Sequence, residues 1–110
     1  MNLGKHLLLE VYDGTFQQLN DYVFLKDTLF DGIQKSKSTI LNCFIHKFDP
    51  QGCTIIFALA ESHVSIHTWP EKGCCSADFY ICGDKDPEII AKSLIKGLKS
   101  KKHKIRILNR

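Results

Sequence analysis

The sequence predicts an α+β protein: a two-layer sandwich of one largely antiparallel sheet with two helices packed on one face. Three observations carry this reading. Apolar residues recur at helical spacing in two separate stretches. Between and around those stretches lie short segments of alternating polarity, bounded by turn residues. The order of strand, helix, run of strands, helix, strand is that of segregated layers rather than of repeated βαβ units. A chain of 110 residues is one domain by size.

Each element has its own local cause. The run "KHLLLEVYDG" is a first strand ending in an Asp13-Gly14 turn. From about Leu19 to Lys35 the residues Tyr22, Val23, Leu25, Leu29, Phe30 and Ile33 mark a helix. "TILNCFIHKF" is a strand, and Asp49-Pro50-Gln51-Gly52 turns the chain, since proline fixes one dihedral and glycine permits a positive one. "CTIIFALA" is a nearly continuous apolar run, as in a central strand. In "HVSIHTW", Val64 and Ile66 point one way, Ser65 and His67 the other, and Pro70 ends the strand. "CCSADFYIC" puts Cys75, Ala77, Phe79 and Ile81 on an apolar face, with Cys74, Ser76, Asp78, Tyr80 and Cys82 opposite. Asp86 can cap a helix that opens on Pro87 and Glu88, with Ile90, Ala91, Leu94, Ile95 and Leu98 as its apolar stripe. "HKIRILN" is a closing strand.

Composition narrows the function classes. The chain is 44% apolar and 25% charged, as globular proteins are. The net charge of +3 is concentrated in "LKSKKHKIRILNR". No aromatics interleave with those lysines to stack on bases, so the tail reads as a solvated helix end and an edge strand, not as a nucleic-acid module. No stretch has the apolar length to span a bilayer, and the first residues lack the pattern of a secretory signal, so the expected location is the cytoplasm. The five cysteines have no framework spacing, which suits a reducing compartment. Cys74 and Cys75 face opposite sides of a strand, and no paired-ligand spacing supports a zinc site from Cys82, His63 and His67; no metal is expected.

Reactive side chains concentrate in "AESHVSIHTWPE", Ala60 to Glu71. A half-buried strand accounts for Val64 and Ile66 but not for a glutamate, a serine and a histidine at the strand entrance. Ser65 and His67 share a face and could form a hydrolase pair, yet no G-x-S-x-G elbow is present. The stretch "ESHVSIHTWPE" resembles the processing-site motif of the bacterial S-adenosylmethionine decarboxylase proenzymes, a pyruvoyl-dependent family. "GKHLLLEVYDG", "FIHKFDPQG", "FYICGD" and the "DPE" helix start follow in that family's order, so the resemblance covers nearly the whole chain.

The resemblance implies self-cleavage between Glu61 and Ser62, giving chains 1–61 and 62–110. The Ser62 hydroxyl would attack the Glu61 carbonyl to form an ester. β-Elimination and hydrolysis of the resulting dehydroalanine would leave a pyruvoyl group, which takes substrate as a Schiff base and serves as an electron sink. By the same resemblance His67 assists processing and Cys82 is the proton donor in turnover, with the thiol not needed for cleavage. Thr54 stands where the family usually has a processing serine. Phe48 resembles the aromatic that stacks on adenine, with His67 on its other side, and Glu71 the carboxylate that takes the ribose hydroxyls. The implied reaction is decarboxylation of S-adenosylmethionine to the aminopropyl donor of spermidine synthesis. The alternatives are the same chemistry on ornithine or arginine, and a non-catalytic regulatory homologue. Thr54-Ile55 in place of Ser-Gly, and "KGCC" after the Pro-Glu pair, are departures from the family pattern. The bare sheet face left by two helices requires cover, so a homodimer or higher homo-oligomer is expected.

Overall fold

The computed structural model describes residues 1–110. Six strands form one antiparallel sheet: β1 (Gly4–Val11), β2 (Ile40–Lys47), β3 (Cys53–Leu59), β4 (Ser62–Trp69), β5 (Cys74–Cys82) and β6 (His103–Asn109), in spatial order β2-β3-β4-β5-β1-β6. Three α-helices accompany it: α1 (Phe16–Leu19), α2 (Tyr22–Lys35) and α3 (Pro87–Leu98). Helices α2 and α3 lie against each other over one sheet face and close a core of 21 buried apolar residues. The two-layer architecture read from the sequence is the one observed.

The details differ in three places. The first helical stretch is broken at Asn20 and Asp21, because Asp21 is extended and its carboxylate caps α2 by accepting from Phe24 N–H at 3.0 Å. Within α2 only Leu25, Leu29 and Ile33 form the buried i, i+4 stripe, whereas Tyr22, Val23 and Phe30 face solvent. β3 is not central but next to the edge. Its apolar run is covered on one face only: Cys53, Ile55, Phe57 and Leu59 are buried, and Ile56 and Ala58 are exposed. Asp86 caps α3 at Glu88 N–H, 2.9 Å, with Pro87 at its first turn.

Two glycines matter for the geometry. A Cβ on Gly4 would lie 2.5 Å from the Ile81 carbonyl oxygen and 2.6 Å from Cys82 Cα, so only glycine lets β1 run against the end of β5. Gly52 has φ +97 and closes the β2–β3 turn, where Phe48 N–H donates to its carbonyl at 2.8 Å. Asp13 does more than turn the chain: its carboxylate accepts from Ser100 Oγ (2.7 Å) and from the backbone N–H groups of Lys101 (2.7 Å) and Lys102 (2.9 Å), tying the α3–β6 connection to β1.

The second sheet face carries no helix. Register places Phe44, Ile56, Ser65, Asp78, Leu8 and Arg106 in one row across it. The neighbouring row is His46, Thr54, His67, Ser76, Glu10 and Lys104. This face is apolar toward β2, where Phe44 is 58% exposed, polar in the middle, and basic toward β6. No helix is long and apolar enough to cross a membrane.

Candidate active site

The sequence-expected site residues fall into two groups at opposite ends of β4. The first is built on the two-residue turn Ala60–Glu61 between β3 and β4, beside the end of β5. The Glu61 carbonyl oxygen accepts from one residue twice: from Cys82 N–H at 2.9 Å and, in close contact, from Cys82 Sγ–H. Ser62 Oγ lies 3.6 Å from the same sulfur. Ser62 has φ +139, a region that L-residues rarely occupy, so the peptide after Glu61 joins to a strained residue. A carbonyl held by two donors next to a hydroxyl on strained backbone is an arrangement suited to attack on that carbonyl, since negative charge developing on its oxygen is already solvated. The Cys82 thiol, which the resemblance assigns to turnover and not to cleavage, thus also contacts the carbonyl of the residue before Ser62.

The second group sits at the other end of the sheet. Thr54 Oγ1 and His67 Nδ1 share a 2.9 Å hydrogen bond, as their direct pairing across β3 and β4 requires. With Nδ1 engaged, Nε2 is the free nitrogen of the ring. Phe48 follows β2 at this end, 48% exposed, with its ring edge-on to His46 at 4.6 Å. Glu71 is exposed in the 3₁₀ turn Pro70–Lys72 that follows β4, whose Pro70 is buried.

Ser62 and His67 are therefore not neighbours. Five residues of extended strand separate them, about 17 Å at roughly 3.3 Å per residue. One chain does not bring its own His67 to its own Ser62, although the sequence reading treated them as one site. The Ser65–His67 hydrolase pair also fails, because Ser65 Oγ donates to Asp78 and His67 is engaged by Thr54.

Between the two groups lies a polar cluster that the sequence did not reveal as such. His6 Nε2 is 3.1 Å and His63 Nε2 3.8 Å from the same Asp78 oxygen, while Ser65 donates to the other. Burial works against the Asp78 carboxylate, but the Ser65 and His6 hydrogen bonds and the nearby His63 outweigh it and hold its pKa below the usual value. The Arg110 guanidinium stands 3.5 Å from His6 Nδ1 and stacks on Tyr80 at 4.7 Å. His6, His63 and Asp78 thus bring three potential ligand atoms together, with the Arg110 guanidinium beside the His6 ring. Beside the cluster is a shallow depression of about 140 Å³, lined by Leu8, Glu10, Ser65, His67, Ser76, Ala77 and Asp78. Small-molecule pockets are typically about 300–1,000 Å³, so this face lacks an opposite wall.

Comparison with known proteins follows the same lines. A family model described as S-adenosylmethionine decarboxylase matches residues 5–110. The chain is 42% identical over 109 residues to an S-adenosylmethionine decarboxylase proenzyme of Prochlorococcus marinus, covering 98% of this chain and 87% of that one. It is 36% identical over 100 residues to the proenzyme of the same name from Bacillus cytotoxicus, covering 90% and 77%. The crystal structure of the adenosylmethionine decarboxylase from Aquifex aeolicus superposes with a TM-score of 0.91 at 29% identity, over 99% of this chain and 91% of that one. The chain belongs to the S-adenosylmethionine decarboxylase family.

Proposed function

We propose that this protein is a pyruvoyl-dependent decarboxylase of S-adenosylmethionine, made as a proenzyme that cuts itself between Glu61 and Ser62 into chains 1–61 and 62–110. The observation that carries the proposal is the Glu61 carbonyl, held by Cys82 N–H and Sγ–H beside the Ser62 hydroxyl. Relatives at 36 and 42% identity carry the S-adenosylmethionine name, which favours that substrate over ornithine or arginine. With Ser62, His67 and Cys82 all present, a purely regulatory role has no support.

In processing, Ser62 Oγ attacks the Glu61 carbonyl carbon. The oxygen that gains charge is met by the two Cys82 donors. The bond from carbon to the Ser62 nitrogen breaks as that nitrogen takes up a proton, leaving an ester; β-elimination then frees the Glu61 carboxylate, and water replaces the nitrogen of the resulting dehydroalanine, releasing ammonia and leaving the pyruvoyl end. A base must move the hydroxyl proton, and His67 is the candidate, its Nε2 left free by the Thr54 hydrogen bond. The 17 Å separation of about five strand residues means that this His67 comes from a second copy. A two-fold axis lying between two open sheet faces, and across the strands, sets the Ser62 end of one β4 against the His67 end of the other. The same stacking supplies the missing wall of the depression and covers Phe44 and Ile56, apolar side chains left bare by the helices. The active site is thus shared: Glu61, Ser62 and Cys82 from one protomer, Thr54, His67, Phe48 and Glu71 from its partner.

A pyruvoyl carbonyl at position 62 supplies the electron sink for the pair left when carbon dioxide departs. Beside it, Cys82 Sγ, 3.6 Å from the Ser62 Oγ of the uncut chain, would hold the proton that quenches the substrate carbanion. Phe48 and His67 offer aromatic faces for an adenine ring, and the Glu71 carboxylate can accept from ribose hydroxyls. The test is intact mass. Wild-type protein should resolve into two chains, the larger ending at Glu61 and the smaller starting with a blocked amino end. Ser62→Ala should remain whole. A wild-type chain that stays uncut after prolonged incubation refutes the reading.

A further inference from the structure

We infer that Lys85 is a positioning residue for self-processing, acting through the side chain of Glu61; the inference rests on the cleavage reading above. Lys85 lies in the loop between β5 and α3, flanked by the stretches "FYICGD" and "DPE" but part of neither. Its ammonium is 3.7 Å from Glu61 Oε2 and donates a hydrogen bond to the Lys37 carbonyl. The other Glu61 carboxylate oxygen accepts from Thr39 N–H at 2.9 Å, and Ala60 N–H donates to the Thr39 carbonyl at 2.9 Å. The Glu61 carboxylate is thereby clamped between the chain that leaves α2 and the chain that leaves β5. Both segments are themselves tied down: Lys37 turns through a left-handed conformation, and Gly83 N–H donates to the Leu3 carbonyl at 3.1 Å.

The clamp has a chemical consequence because the same residue presents the scissile carbonyl. Glu61 is fixed at two points, its carbonyl by Cys82 and its carboxylate by Lys85 and Thr39. Turning the carbonyl away from Ser62 requires pulling the carboxylate out of this grip. Strain at Ser62, φ +139, promotes cleavage only if the Glu61 side of the bond cannot relax. Lys85 supplies part of that resistance. An ordinary surface ion pair would make no such difference to the rate of a covalent step. Here Glu61 is only 17% and Lys85 32% exposed, which limits screening.

The experiment follows conversion of freshly translated full-length chain to its two products by intact mass over time. The chains compared are wild type, Lys85→Gln, Lys85→Arg, Glu61→Gln and the double variant Glu61→Gln/Lys85→Gln. Lys85→Gln should slow cleavage roughly two- to fivefold, the range of a part-exposed ion pair. Lys85→Arg should restore the wild-type rate. In the Glu61→Gln background, which keeps an acceptor for Thr39 but carries no charge, Lys85→Gln should cause no further slowing. Melting of the uncleavable Ser62→Ala protein should fall by no more than a few degrees on Lys85→Gln, the size of one part-exposed ion pair. A Lys85→Gln chain that cleaves at the wild-type rate overturns the inference. So does equal slowing in the Glu61→Gln background, failure of arginine to rescue, or a large fall in melting temperature, each of which makes Lys85 a general structural residue. A wild type that never cleaves defeats the proposed function itself, a result distinct from all of these.

Discussion

A chain carrying Ser62→Ala and a chain carrying His67→Ala should each be inactive alone and yet process when expressed together. The reason is the separation along β4: five residues, about 17 Å, against the roughly 3 Å that a proton transfer needs. In a mixed dimer, one of the two shared sites pairs the intact Ser62 of the His67→Ala chain with the intact His67 of the Ser62→Ala chain. The other site lacks both. Random assortment makes half of the dimers mixed, so about one quarter of all chains should be cleaved. Every product should derive from the His67→Ala chain, because the Ser62→Ala chain has no nucleophile. Mass spectrometry of the 62–110 product reads this directly, since histidine and alanine at position 67 differ in mass. Decarboxylation of labelled S-adenosylmethionine should return to about one quarter of wild type. If co-expression yields mixed dimers but no 62–110 product above the His67→Ala background, the shared-site geometry is wrong.

Two further outcomes follow from the hydrogen bonds. Cys82→Ala removes one of the two donors to the Glu61 carbonyl but keeps the backbone N–H. Cleavage should slow about tenfold and not stop, less than the loss of a full oxyanion donor because S–H is a weak one, while turnover falls by about 10²–10⁴ as for a lost general acid. A time course of intact mass beside product assays checks both; cleavage at the wild-type rate would show that the thiol hydrogen bond does nothing for processing. Asp13 has its pKa held below the ordinary 3.8 by the Ser100 hydroxyl first, then by the Lys101 and Lys102 amides. Its stabilising effect is complete above the ordinary value and lost as pH falls through the lowered one. Urea midpoints of wild type and Asp13→Asn should therefore differ at neutral pH and converge on the acid side of that window, and a constant gap down to the lowest pH would refute the link.

The sequence by itself determined the layers, the faces and the chemistry. Alternation in "HVSIHTW" and "CCSADFYIC" fixes which side chains enter the core, because a strand has a period of two and water rejects the apolar face. The same periodicity puts His67 and Cys82 on the opposite side, and turn chemistry marks the Gly52 and Asp86 boundaries. The resemblance of "ESHVSIHTWPE" to a known motif named the reaction. Local pattern is silent on what lies across space. β3 read as central because its run is apolar throughout, but strand order depends on pairings between distant segments, and one of its faces is bare. Lys85 stands 24 positions beyond Glu61, and nothing in that spacing announces their contact. Adjacency in sequence also misled: Ser62 and His67 are five apart in the chain, and it is because they share one extended strand that they lie at its two ends. Only the tertiary structure, through that rigid length, decided that Ser62 and His67 stand apart within one chain, and that separation is the physical reason the proposed site draws its other half from a second copy.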